Sequence, residues 1–141
     1  MTVYWHGRST KNVEAQHVWA SSRSAQPLRN RGIKVTDVFR AGDELPGGIQ
    51  AFQTPRAAEV VYWLPQQQAL VVGDVLLGAG AKPRATDEPL RLCPERWLGK
   101  ATHEDLREAL RLLLELPVER VLVSHGKPVL RDARAALAAM I

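Results

Sequence analysis

Two short aliphatic runs, Leu70-Val71-Val72 and Val121-Leu122-Val123, end in closely similar ways. The first continues into Gly73-Asp74 and the second into Ser124-His125-Gly126. Stretches of β-branched and aliphatic residues this short, stopped by glycine, read as buried strands. A carboxylate and an imidazole therefore sit at the carboxyl ends of two strands, where their side chains can converge on one site.

The remaining elements are read around that pair. Thr2 to Trp5 reads as a strand, Lys11 to Gln16 as a short helix, and His17 to Ala20 as another strand. Ser22 to Arg31 reads as a helix ended by Gly32, and Val35 to Phe39 as a strand. Gly42 to Gly48 makes a turn before a strand over Ile49 to Thr54. Glu59 to Leu64 and Ala69 to Val72 form a hairpin around Pro65 to Gln68. Ala79 to Pro94 is rich in Gly, Pro and Ala without periodicity, which predicts a long functional or mobile loop. Thr102 is the N-cap of the clearest helix, with Asp105 completing a capping box and Leu106, Leu110, Leu113 and Leu114 on one face. Pro117 stops it. Val118 to Ser124 is the second buried strand, and Leu130, Ala133, Leu137, Met140 and Ile141 mark a final helix. Strands first, then strand–helix alternation, predict one α/β domain over residues 1–141, with helices outside a sheet layer.

Composition removes several classes of function. The 141 residues hold 45% hydrophobic and 24% charged residues, the balance of a globular domain with a real core. No apolar run reaches the roughly 18 residues of a membrane-spanning helix, and Met1 to His6 has no signal-peptide pattern. A single cysteine, Cys93, fits a reducing cytoplasm. The formal charge is +4, and the densest basic stretch holds Arg23, Arg29, Arg31 and Lys34. It lacks interleaved aromatics, so it reads as a solvated helix face and nucleic acid is not an expected partner. His103 reads as surface, and His17 as a strand residue in polar surroundings. Trp5, Trp19, Trp63 and Trp97 read as core or interface packing.

The order of the Gly42-Asp43-Glu44-Leu45-Pro46-Gly47-Gly48 turn, Gly73-Asp74 and Ser124-His125-Gly126 resembles the metallo-β-lactamase superfamily. The resemblance implies a partial αββα sandwich, a mixed sheet flanked by helices, with Asp74 and His125 as metal ligands. It also implies ligands that are absent here. In the register that sets Val3 and Trp5 on the first two histidines of the family motif, Gly7 falls on its aspartate and Arg8 on its last histidine. His6 is then out of phase by one residue, and on a strand a one-residue slip points a side chain to the opposite face. Thr54-Pro55-Arg56 has no histidine where the family has one. The family's N-terminal strands are also missing, which predicts an exposed apolar sheet face covered by a homodimer or higher oligomer.

Two functional readings follow. The ligand gaps favour a metallo-β-lactamase-like domain that has lost its binuclear site and hydrolase activity, an oligomeric binding or structural protein without a cofactor. His6, Arg8, Arg56 and Cys93 are its pocket candidates, with Arg8 and Arg56 placing positive charge for a small anionic ligand. The alternative is a metal-dependent hydrolase with a reduced zinc site on Asp74 and His125, completed by His6, Cys93 or a neighbouring subunit.

Overall fold

The computed structural model describes residues 1, 2 and 4–141, and the side chains of Arg8, Ser9 and Lys11 lie outside the described residues. The expectations placed on Val3 and on the Arg8 side chain therefore fall outside it. A 3-10 helix, Tyr4–Asn12, opens the chain and leads to β1 (Trp19–Ser21), α1 (Ser22–Asn30) and β2 (Asp37–Phe39). Strands β3 (Gln50–Gln53), β4 (Val60–Leu64) and β5 (Ala69–Val72) follow, then β6 (Leu76–Gly78) and β7 (Leu90–Leu92). The chain closes with α2 (His103–Arg111), β8 (Arg120–Val123) and α3 (Ala133–Met140).

The main sheet has the order β3-β4-β5-β8, antiparallel except for the parallel β5–β8 pair. β1 and β2 form a parallel pair, and β6 and β7 an antiparallel one. Both faces of the main sheet are covered, which explains the unbroken apolar runs. Val61, Trp63, Leu70, Val72 and Val121 face a core built with Leu106, Leu110, Leu113 and Leu137. Alternate residues, Val60 and Tyr62 with Val71 beside them, pack on the opposite side with Phe39, Leu45 and Trp19. The second cover does not hide all of β8, where Leu122 is 37% exposed.

Several elements differ from their sequence reading. Tyr4–Asn12 is a 3-10 helix where a strand and then a helix were expected; Trp5 and His6 reach Asp74 from it, and Arg31 Nη1 donates to Tyr4 O. The 79–94 stretch is not one loop: Leu90–Leu92 pairs with Leu76–Gly78, and only the segment between them is irregular. Three-residue strands are too short for periodicity to declare them. Leu130 is 57% exposed and precedes α3, which starts at Ala133. The Thr102–Asp105 capping box is present as read, with both reciprocal hydrogen bonds made.

Helix α2 buries Leu106 and Leu110, while Leu112 just beyond its end is exposed, so truncating the two kinds of leucine should differ sharply. Leu106→Ala is expected to lower unfolding free energy by about 3 kcal/mol. Leu112→Ala, at a position 64% exposed, should cost less than about 0.5 kcal/mol. Urea denaturation of the two variants checks both.

Candidate metal centre

Parallel pairing aligns the two polar strand ends. Val72 is registered with Val123, so Asp74 and His125 each stand two residues beyond the last pair of neighbouring strands. The turn carrying His125 is clamped by main-chain bonds: Gly78 N–H donates to His125 O at 2.9 Å and Lys127 N–H to Ala79 O at 2.9 Å. This crossing needs two glycines. A Cβ on Gly126, whose φ is +88°, would strike the Gly78 carbonyl, and one on Gly78 would strike the carbonyl of Lys127.

The third member comes from the 3-10 helix. Gly7 lies where a Cβ would collide with the side chains of Ile33 and Leu28, so this segment packs closely on α1 and its following turn. His6, the next residue back, reaches the strand ends. Its Nε2 lies 3.0 Å from Asp74 Oδ1, and His125 Nε2 also lies 3.0 Å from that oxygen. The three donor atoms are all within 4.8 Å of one another. The strand-phase argument against His6 fails because the segment has no period of two.

The two carboxylate oxygens of Asp74 have different surroundings. Oδ2 accepts a short hydrogen bond from Trp5 Nε1 and an ion-paired one from Arg56 Nη1 at 2.8 Å. Oδ1 is buried and accepts no aligned hydrogen bond among the described residues, although two imidazole nitrogens stand beside it. Burial raises the Asp74 pKa, but the bonds from Trp5 and Arg56 and the charges of His6 and Arg56 outweigh it, leaving the group below the usual carboxylate range.

Arg56 is held from several sides. Its Nη1 also meets Glu59 Oε2 at 2.9 Å, and its guanidinium lies 4.3 Å over the Trp5 ring and 5.8 Å from that of Trp97. The Glu59 side chain is fully buried, and its Oε1 accepts the N–H groups of Asp74 at 2.7 Å and Val75 at 2.9 Å. Burial pushes the Glu59 carboxyl up, against the Val75 N–H and the Arg56 charge. Gly73 makes this contact sterically feasible, since a Cβ there would lie 2.6 Å from Glu59 Oε1.

Among the sequence candidates, His6, Asp74, His125 and Arg56 come together. Cys93 does not join the donor cluster; it is buried, and burial pushes its thiol up to about 11, so it is a neutral thiol at neutral pH. His103 is half-buried rather than on the surface, with Nε2 2.7 Å from Cys93 O. A carbonyl only accepts, so that nitrogen carries the proton. His17 is exposed and pairs with Asp37. Sequence reasoning missed Glu59, whose one signal is an acid leading directly into the apolar run Val60–Leu64. It also missed Trp5 as a hydrogen-bond donor to Asp74.

Comparison of the whole chain with solved structures finds metallo-β-lactamases. The DIM-1 enzyme exposed to ceftazidime matches with TM-score 0.64 and 15% identity, over 99% of this chain and 64% of that one. A metallo-β-lactamase from Pontibacter korlensis matches with TM-score 0.55 and 21% identity, over 97% and 65%. FIM-1 from Pseudomonas aeruginosa, in its mono-zinc form, matches with TM-score 0.55 and 14% identity, over 86% and 54%. The chain therefore has a metallo-β-lactamase superfamily fold and spans under two thirds of the length of these three structures. No family model and no curated relative matches the sequence.

Removing Arg56 would leave two buried carboxyl groups without their shared cation. Arg56→Ala is expected to cost about 3 to 5 kcal/mol of stability. The paired variant Arg56→Ala/Glu59→Gln should recover part of that loss, because one of the two unpaired buried charges is gone. Chemical denaturation of both variants, read by tryptophan fluorescence, measures the difference.

Proposed function

We propose that this chain is a metal-dependent hydrolase domain that works with a single divalent ion, held by His6, Asp74 and His125. The observation that carries this reading is Asp74 Oδ1: a buried carboxylate oxygen without an aligned hydrogen bond, flanked at 3.0 Å by two imidazole nitrogens. Buried polar atoms are ordinarily satisfied, and one left open among nitrogen donors fits a cation. Two imidazoles and one carboxylate suit zinc, and three protein ligands leave a position for water or substrate. The mono-zinc form of FIM-1 is a neighbour in fold with one zinc in place.

A bound zinc ion supplies Lewis-acid polarisation of water or of a substrate oxygen. The protein does the rest. Asp74 and His125 are fixed by strand register, Trp5 and Arg56 hold Asp74 Oδ2, and Glu59 anchors the turn through two N–H groups. On this reading Arg56 takes the charge role that a second ion would fill. The gaps in the family ligand set then describe a reduced site rather than a lost one, and ester and phosphodiester bonds are the substrates to screen.

Elemental analysis after dialysis against low-micromolar zinc is expected to give one zinc per chain, lost in His6→Ala and in His125→Ala and kept in His103→Ala. Hydrolysis, where found, should fall by at least about a hundredfold in the first two variants. Absence of zinc above the background of those variants would return the chain to the binding or structural reading.

Self-association is part of the proposal, and rests on the face of β8 that the second cover leaves open, where Leu122 is 37% exposed. A dimer or larger mass in light scattering is expected, reduced by Leu122→Lys, and a monomeric mass at every concentration would dismiss it.

A further inference from the structure

A pocket of about 430 Å³ lies between the irregular segment that follows β6, strand β7 and the start of α2. Arg84, Arg91 and Arg96 line it, with Glu88, Thr86 and His103. Three guanidiniums against one carboxylate leave two positive charges before His103 is considered. Among the described residues, Arg84 and Arg96 have no ion pair or hydrogen bond. Arg91 gives one nitrogen, Nη2, to Ala81 O at 2.6 Å, while its Nε is buried and bonded to nothing.

We propose that this pocket binds a phosphate group. A phosphate carries close to two negative charges at neutral pH and offers oxygens that match the forked donors of arginine. It would balance the excess charge and accept from the exposed guanidiniums of Arg84 and Arg96. A carboxylate would leave one guanidinium unbalanced, so the site selects the dianion. The pocket is distinct from the metal-donor cluster but coupled to it through the main chain. Cys93, in its wall, donates its N–H to Val75 O at 3.0 Å, one residue past Asp74. The proposal does not depend on whether that cluster binds metal.

The test is a titration of the full chain with inorganic phosphate, followed by the arginine Nε–H resonances in NMR. Saturable shifts including Arg84 and Arg96 Nε–H are expected. Arg84→Ala/Arg96→Ala, two exposed positions whose change leaves packing untouched, should weaken binding by roughly tenfold or more. His125→Ala should leave it within about twofold. Acetate should bind at least roughly tenfold more weakly than phosphate. Phenyl phosphate binding more tightly than the free ion would identify a monoester ligand, and the reverse would identify the ion itself. The proposal is overturned by non-saturable shifts, by equal affinity in the double arginine variant, by equal affinity for acetate, or by loss in His125→Ala. That last result would place the anion at the metal-donor cluster instead.

Discussion

Glu59 buries a carboxyl group with no solvent exposure at the head of a central strand, and the geometry around Asp74 is built upon it. A buried carboxylate costs several kcal/mol unless its oxygens are satisfied and its charge is met. One oxygen of Glu59 takes the N–H groups of Asp74 and Val75, and the other takes the Arg56 guanidinium. The first pair sets the backbone of the turn that carries Asp74. The second brings a cation to Asp74 itself. Gly73 is part of the same arrangement, because only a residue without Cβ lets Glu59 approach the strand end so closely.

Much of the main sheet and two of the three residues of the donor cluster were legible in the sequence, for a common reason. Val60 to Leu64 and Ala69 to Val72 are apolar without interruption because these strands pack on both faces, and Val121 to Val123 continues the same core on one face. Their ends are marked by the first polar or glycine residue. Two such ends could be read as convergent before any pairing was known. The observed pairing, Val72 with Val123, then sets Asp74 and His125 side by side. The Thr102 capping box was equally readable, since its bonds are local.

The third donor was hidden by a wrong period. His6 is one residue out of phase only if Thr2 to Trp5 is a strand, and a 3-10 helix turns its side chains through a different angle per residue. Nothing in Tyr4 to Asn12 announces that helix: it is polar, it lacks a helical apolar stripe, and it depends on Gly7 meeting Ile33 and Leu28 across the chain. Glu59 was missed for a related reason. An acid at the edge of an apolar run usually marks solvent, and its burial here is set by Arg56 and by two backbone N–H groups distant in sequence.

The same network argues for one ion rather than two on the proposed reading. Asp74 divides its oxygens: Oδ1 faces His6 and His125, while Oδ2 is committed to Trp5 and Arg56. A second cation at Oδ2 would have to displace a guanidinium that cannot give up its proton. Displacement would also strip Glu59 of its only cationic partner among the described residues, at a position with no access to water. The cost of an unpaired buried carboxylate, about 3 to 5 kcal/mol, would have to come from the second ion's own binding. That ion would find few donors, since His6, Asp74 and His125 are the only such cluster among the described residues. Arg56 thus provides charge at Oδ2 and excludes a competitor from it, and the pairing that stabilises the fold also limits the metal count.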